Sequence, residues 1–179
     1  MHDIEEFMKK AHGEQLRKYS GLPYWTHPIE VRDILLTVPH TEAMLKAALL
    51  HDVVEDTSIT IEEVEQRFGS EVAEIVSGLT DVSRPEDGNR KLRKQKDLEH
   101  TAMQSPETKT VKLADLISNS RSIFFHAKDN KDAKAFAKLY AVEKQALLNV
   151  LTEGDSVLLT QAKGLLESYT EWIAQESKS

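Results

Sequence analysis

Residues 47–57 read Ala47-Ala48-Leu49-Leu50-His51-Asp52-Val53-Val54-Glu55-Asp56-Thr57. The first part consists of alanine and leucine, which favour helix, and the second part is mostly polar. This pattern predicts an apolar helix whose C-terminal end carries His51, Asp52, Glu55 and Asp56. Adjacent helical residues lie about 100° apart and a new turn begins after about four residues, so these side chains reach one shared space.

The three carboxylates at this helix end, those of Asp52, Glu55 and Asp56, repel one another. Near a helix C-terminus they also oppose the macrodipole, so a bound cation would stabilise them. The His51-Asp52 pair taken alone is more simply interpreted as a solvated helix end with a capping histidine. Further residues are needed to favour a cation site.

Two other segments supply those residues. His27 lies directly before Pro28, which is suited to a first helical turn, so its imidazole projects from the start of a helix. Asp115 stands in an otherwise apolar helix, where a buried carboxylate needs a partner. With His51 and Asp52 they offer two imidazoles and two carboxylates. This set suits Mn²⁺, Fe²⁺ or Zn²⁺ and leaves coordination positions for water and substrate.

The spacing of apolar residues is helical along most of the chain, as in Val72, Ile75, Val76 and Leu79. We therefore predict an all-α fold of roughly eight to ten helices in one compact domain over residues 1–179. The aromatic residues Phe7, Trp25, Phe124 and Phe125 are predicted to lie in its core. The predicted helices cover residues 3–19, 28–37, 41–56, 60–68, 70–80, 88–103, 107–125, 131–152 and 155–176.

Composition narrows the class of protein further. The chain has 179 residues and no cysteine, so one core without disulfides or thiolate ligands is expected, in a reducing cytoplasm. No apolar run approaches the ~20 residues of a membrane span, and the N-terminus is acidic where a signal peptide is basic. The net charge of −7 disfavours nucleic acid as a partner.

A local basic segment stands against this acidic background. Arg90-Lys91-Leu92-Arg93-Lys94-Gln95-Lys96 holds five cations in seven residues. Like charges at helical spacing, such as those of Arg90 and Lys94, cost a helix a few tenths of a kcal/mol, about the worth of one surface pair. Two interpretations follow: a solvated helix face, or a surface in which Arg90 and Lys94 meet substrate phosphates.

The order His27, His51-Asp52, Asp115 resembles the signature of the HD phosphohydrolase superfamily. More narrowly, the chain resembles the guanosine 3′,5′-bispyrophosphate (ppGpp) hydrolases, both the small alarmone hydrolases and the hydrolase domain of RelA/SpoT proteins. The matching motifs are Ala11-His12-Gly13-Glu14-Gln15-Leu16-Arg17-Lys18, Gly21-Leu22-Pro23-Tyr24-Trp25-Thr26-His27-Pro28, His51–Thr57, Phe68-Gly69, Leu79-Thr80 and Val111–Asp115 with Asn119 and Arg121.

The resemblance implies an all-helical HD-domain enzyme that removes the 3′-pyrophosphate of ppGpp or pppGpp. In similar enzymes a single Mn²⁺ is bound, with Zn²⁺ or Fe²⁺ as alternatives. The residues that match its ligands are His27, His51, Asp52 and Asp115. Glu55 and Asp56 match the acidic pair that serves the water and the leaving 3′-oxygen, and His12 is expected to form hydrogen bonds beneath the site.

The same resemblance places a small guanosine nucleotide as the partner and leaves the oligomeric state open. Arg17 and Lys18 match residues that contact the nucleotide, with the arginine stacked on the base. Asn119 matches a residue near the ribose, Arg90 one at the phosphates, and Tyr140 one that lines the pocket. The chain has no room for a synthetase domain, so any activity is expected to be hydrolytic.

Some positions depart from the pattern of these relatives. Leu116 and Ser118 stand where a basic residue and an aromatic or imidazole residue are usual. Two alternatives therefore stay open: an HD phosphohydrolase acting on another nucleotide, such as a deoxynucleotide or NADPH, and a catalytically weak nucleotide-sensing module. The retained Arg17-Lys18 and Glu55-Asp56 pairs favour the alarmone.

Overall fold

A computed structural model describes residues 1–176 and contains ten α-helices there, with a three-residue 3₁₀ turn at Pro85–Asp87. A lone β-bridge between Leu16 and Pro23 is the extent of β pairing in this range. The predicted all-α fold of eight to ten helices is therefore confirmed. The helices are α1 His2–His12, α2 Thr26–Leu35, α3 Glu42–Leu50, α4 Val53–Asp56, α5 Ile61–Phe68, α6 Ser70–Leu79, α7 Arg90–Ala102, α8 Pro106–Ala127, α9 Lys131–Val150 and α10 Ser156–Glu176.

The predicted single domain runs to residue 179, so its last three residues lie outside the described residues and its extent stays a prediction. Within residues 1–176, none of the helices combines the length and the apolar character that a membrane crossing needs.

Helix α8 is the central element, since it packs against α2, α3, α6, α9 and α10. Pro106 starts it, because the missing N–H of proline costs nothing in a first turn. Ser105 caps it by accepting a hydrogen bond from the backbone N–H of Thr108. Fourteen of its residues are buried, so neighbours cover the helix around much of its circumference. Because neighbouring helices cover α8, Asp115 lies in the interior of the protein.

The helix predicted over 3–19 ends early, at His12. Gly13 follows with φ +52°, a left-handed conformation that glycine adopts at low cost. The chain then forms a loop, closed by a 2.8 Å hydrogen bond from the N–H of Arg17 to the carbonyl oxygen of Leu22. Arg17 and Tyr24 therefore lie on a loop and not on a continuous helix.

The helix predicted over 41–56 is broken at the His-Asp pair. Helix α3 ends at Leu50, and Asp52 adopts φ −98° and ψ −6°, the sparsely populated bridge region in which many active-site residues lie. Glu55 then falls on the separate one-turn helix α4. The pair His51-Asp52 therefore occupies the turn between α3 and α4.

The core prediction for Phe125 is wrong. Phe124 is 9% exposed and its ring stacks on Tyr169 with centroids 3.9 Å apart, whereas Phe125 is 67% exposed. Successive residues of a helix point about 100° apart, and α8 faces the core with one side at this end. The sequence alone did not indicate which of the two phenylalanines that side carries.

Gly154 allows the turn between α9 and α10 to pack against α8. A Cβ there would lie 3.1 Å from the backbone carbon of Lys109 and 3.2 Å from the carbonyl oxygen of Leu151. Gly154→Ala should therefore lower the free energy of unfolding by about 1–3 kcal/mol, the usual cost of overpacking. The matched control is Gly164→Ala, where nothing lies within 4 Å of the new Cβ and a gain of up to ~1 kcal/mol is expected from helix propensity. Urea unfolding of both variants measures the difference, and equal stabilities would refute the packing role.

Candidate metal centre and the cavity beside it

The structure brings the four predicted ligands together at the junction of α2, α3 and α8. His27 lies in the first turn of α2, and its Nε2 is 3.2 Å from Nε2 of His51 at the end of α3. Asp52 Oδ2 lies 3.0 Å from His51 Nε2 and 3.6 Å from His27 Nε2. Asp115 Oδ1, from α8, lies 3.2 Å and 3.7 Å from the same two nitrogens.

This donor set fits a divalent cation. One donor atom each from His27, His51 and Asp52 lies within 4.8 Å of the others, and Asp115 closes the group from the opposite helix. Both imidazoles are 2% exposed. Two buried nitrogens that face each other and two carboxylates are the mixed N/O arrangement that transition metals bind in proteins.

The far nitrogen of each imidazole is held by the protein. His51 Nδ1 lies 2.8 Å from the carbonyl oxygen of Ala48, which can only accept, so Nδ1 carries the proton in the neutral ring and Nε2 keeps its lone pair for a metal ion. His27 Nδ1 lies 2.9 Å from Ser118 Oγ, which itself donates to Glu30 Oε2 at 2.8 Å. Such outer hydrogen bonds orient metal-binding histidines. Ser118, a departure from the relatives' pattern, therefore contacts a proposed ligand.

The carboxylates are oriented in the same way. Tyr24 donates its hydroxyl to Asp52 Oδ2 at 2.5 Å, and Asn119 donates to Asp115 Oδ1 at 2.6 Å. Burial would raise the pKa of Asp115, but the hydrogen bond from His27 and the positive charge of Lys112 hold it well below its usual range. Asp115 therefore stays ionised, as a ligand must be.

A cavity of about 680 Å³ opens beside these ligands, between α7, α8 and α9. We call it the metal-facing cavity. Its charged and amide lining includes Asp52, Glu55, Asp81, Arg90, Lys91, Lys94, Asp97, Lys112, Asp115, Asn119, Glu143 and Lys144. Acidic groups at the metal centre and basic groups on the facing helices give it a polarity suited to an anionic substrate.

The two predicted catalytic acids differ in their surroundings. Glu55 lines the cavity and accepts a 2.5 Å hydrogen bond from the backbone N–H of Asp81. Partial desolvation of the carboxylate, with a smaller contribution from the negative charge of Asp81, raises the pKa of Glu55 to about 7. Asp56 is exposed and accepts from Gln15 at 3.0 Å. His12 Nδ1 lies 2.9 Å from Gln15 Oε1, so one hydrogen bond links His12 through Gln15 to Asp56.

The predicted nucleotide contacts separate into two groups. Arg90 and Asn119 line the metal-facing cavity. Arg17 instead pairs with Glu30 at 2.9 Å and lines a second cavity of about 600 Å³. Lys18 lies over the rings of Tyr19 and Phe136, 5.3 Å from each centroid.

Tyr140 also lies away from the cavity surface. It is 6% exposed, and Ser120 Oγ lies 3.5 Å from its hydroxyl. The structure therefore does not bring Arg17, Lys18 and Tyr140 to the wall of the metal-facing cavity, and their nucleotide contacts stay predictions.

Several residues of this region had no role in the prediction from sequence, among them Tyr24, Lys112, Glu143 and Lys144. Tyr24 and Lys112 belong to the matched motifs, so their proximity to the ligands was a signal in the sequence. Glu143 and Lys144 lie on α9, where charged residues alternate with alanine and leucine and nothing in the pattern marks a functional position. Their place on the cavity wall follows from the packing of α9 beside α7 and α8.

A helical fold with a buried two-histidine, two-aspartate centre defines a class of candidate metal-dependent proteins. The sequence profile described as the HD domain matches residues 5–142. The chain belongs to the HD domain family.

Among curated relatives, the chain is 36% identical over 138 residues to a guanosine-3′,5′-bis(diphosphate) 3′-pyrophosphohydrolase of Aquifex aeolicus, covering 76% of this chain and 20% of that protein. It is 35% identical over 128 residues to the GTP pyrophosphokinase rsh of Brucella suis, covering 70% and 17%. The chain thus spans about a fifth of the length of these relatives.

A solved structure of similar size also matches. It is that of a metazoan ortholog of SpoT that hydrolyses ppGpp and plays a role in starvation responses. The TM-score is 0.81 and the identity 28%, with 93% of each chain covered. The similarity therefore extends over nearly the whole of both chains.

Removing Asp115 should abolish metal binding. Asp115→Ala leaves three of the four donors, and it also leaves the side-chain amide of Asn119 without its acceptor. Asn119→Ala keeps every ligand and should weaken metal affinity by about 10- to 100-fold, the usual effect of losing an outer hydrogen bond. Metal content after dialysis, measured by atomic emission, separates the variants. Full occupancy in Asp115→Ala would remove this residue from the ligand set.

Glu55 should destabilise the metal-free protein at alkaline pH. Its folded pKa of about 7 lies above the ordinary 4.5, so the folded state keeps a proton that the unfolded state releases. Stability therefore falls as pH rises between these two values. Glu55→Gln removes this titration and should raise the Tm at pH 8 by about 2–4 °C, the shift produced by roughly 1 kcal/mol. At pH 4.5 the two proteins should melt together, and a difference there equal to that at pH 8 would contradict the assignment.

Proposed function

We propose that this chain is a metal-dependent phosphohydrolase that removes the 3′-pyrophosphate of ppGpp and pppGpp, yielding pyrophosphate with GDP or GTP. The observation that carries the proposal is the ligand set of His27, His51, Asp52 and Asp115 opening onto a cavity that also holds Glu55 and basic side chains. The names of the curated relatives and of the solved structure support the choice of substrate.

The four ligands would hold one divalent cation, and we propose Mn²⁺. Such an ion lowers the pKa of a coordinated water and withdraws negative charge from a phosphoryl oxygen. The protein contributes the burial of both imidazoles and the hydrogen bonds from Tyr24 and Asn119. These contacts fix the donor atoms before substrate arrives, so little reorganisation is left for the reaction.

Glu55 is suited to proton transfer. With a pKa of about 7 it is partly protonated at neutral pH, so it can donate a proton to the departing 3′-oxygen. We assign Asp56 to orienting the attacking water, in a position maintained by the hydrogen bond from Gln15. The two carboxylates would then perform different tasks, with different hydrogen-bond partners.

The substrate is anionic, and its phosphates would lie towards the basic wall of the metal-facing cavity. We propose that Arg90 contacts them and that Asn119 lies near the ribose. The base would lie towards Arg17 and Lys18, with Tyr140 supporting the pocket from within the core. For Arg17 this contact competes with its ion pair to Glu30.

The function is tested by incubating the Mn²⁺-loaded chain with ppGpp, pppGpp, NADPH and deoxynucleoside triphosphates, and resolving the products by ion exchange. Release of pyrophosphate and GDP from ppGpp, at a rate at least tenfold above any other substrate, is expected. Preferential turnover of NADPH or a deoxynucleotide would identify a different phosphohydrolase. Binding of ppGpp without turnover of any substrate would indicate a sensing module.

Substitution of the acids by their amides should separate catalysis from metal binding. Glu55→Gln and Asp56→Asn keep the size of each side chain and should keep the metal. Turnover should fall by about 10²–10⁴-fold, the usual contribution of general acid–base catalysis. Metal content and single-turnover rates measured on the same samples decide the matter. Loss of the metal in either variant would make that residue a ligand instead.

A further inference from the structure

Two cations of the metal-facing cavity are already paired with carboxylates. Arg90 on α7 makes a two-bond contact with Glu143 on α9, at 2.7 Å and 2.9 Å. Lys94 lies 2.7 Å from Asp81 and 3.3 Å from Asp97. These pairs join the walls of the cavity and largely neutralise its outer part.

Lys112 extends from α8 closer to the metal centre. Its Nζ donates to the carbonyl oxygen of Leu79 at 3.2 Å and lies 3.6 Å from Asp115 Oδ2. Because Asp115 is also a proposed metal ligand, its negative charge would be shared between Lys112 and the cation. Lys112 therefore places a positive charge beside the proposed reaction site, where the carboxylates of Asp115, Asp81 and Glu55 keep it protonated.

Lys144 on α9 lines the same cavity with no acidic partner. Among the described residues no carboxylate oxygen lies within 4.0 Å of its Nζ, which instead lies 5.2 Å from the ring centroid of Tyr140. Burial, together with the positive charge of Lys112, lowers the pKa of Lys144. A buried ammonium group without a counter-ion destabilises the folded state. An anion entering the cavity would offset that cost.

We propose that Lys144, together with Lys112, anchors the distal phosphoryl group of the substrate's 3′-diphosphate and so selects diphosphate esters over monophosphate esters. The inference rests on the proposed function for the identity of the substrate, and on the cavity charges for the anion site. Lys144 is thus a specificity-determining residue on α9, a helix that contributes none of the four proposed metal ligands.

The arrangement suits a diphosphate because its two phosphoryl groups need different partners. The reacting group lies at the metal centre, next to Asp52 and Asp115. The second group carries its own negative charge and extends from the first, where lysines from α8 and α9 converge on the cavity. Lysine ammonium groups are compact point charges that bind phosphate without a fixed orientation. A monophosphate ester would leave Lys144 without its anion.

The direct test measures anion binding, using inorganic pyrophosphate and inorganic phosphate as probes. The Mn²⁺-loaded chain, free of excess metal, is titrated with each anion by calorimetry, and its metal content is checked afterwards. Lys144→Met should weaken pyrophosphate binding by about 10- to 100-fold, the range expected for one hydrogen bond to a charged group. Phosphate binding should change less than threefold, and Lys144→Arg should restore most of the pyrophosphate affinity.

Lys138→Met is the matched control, since Lys138 is an exposed lysine of the same helix and does not line the metal-facing cavity. It should leave both affinities unchanged. The Tm of Lys144→Met should equal or exceed that of the wild type, because a crowded charge has been removed, and this separates lost binding from lost folding. Equal losses for both anions, no loss for pyrophosphate, or a wild-type chain that binds the two anions equally would each overturn the proposal.

The anion site and the proposed function can fail separately. If the Lys144→Met variant hydrolyses ppGpp with the wild-type KM, the proposed function stands and the proposed anion site is refuted. If the chain does not hydrolyse ppGpp but its selectivity for pyrophosphate still depends on Lys144, the anion site stands and the substrate is another diphosphate ester. If the proposed function and the anion site are both correct, Lys144→Met should raise the KM for ppGpp by about the same factor by which it weakens pyrophosphate binding.

Discussion

The structure depends on placing two imidazoles and two carboxylates in one buried position where α2, α3 and α8 meet. Buried polar groups are costly unless each is satisfied. The protein meets that requirement with contacts that face away from the centre, such as those from Ala48, Ser118, Tyr24 and Asn119. The turn between α3 and α4 and the burial of α8 both contribute to this arrangement, since they position His51, Asp52 and Asp115.

The contacts behind His27 link the two sides of the site. His27 bonds to Ser118, Ser118 to Glu30, and Glu30 to Arg17. A residue predicted to contact the base is therefore connected through three side-chain contacts to a proposed metal ligand.

The metal-facing cavity shows how an acidic chain can accept a polyanion. Its net charge of −7 repels nucleic acid at long range, but the cations that matter are local and lie on three different helices. Arg90 is balanced by Glu143 and Lys94 by Asp81, so the outer wall is nearly neutral. Lys144 lies further in and, among residues 1–176, has no carboxylate within ion-pair distance, so an anion that reaches it meets an ammonium group without a direct counter-ion.

The sequence by itself determined the helical class and most helix positions, because helical periodicity is local. It also predicted the four proposed ligands, because few residue types bind a transition metal without cysteine. It did not determine the break at His51-Asp52 or the exposure of Phe125. These depend on which face of a helix its neighbours cover. The pairing of Arg90 with Glu143, 53 residues apart, and the position of Lys144 were decided by tertiary structure alone. A charged residue on a helix looks the same in sequence whether it faces solvent or a cavity, and only the packing of α9 against α7 and α8 distinguishes the two.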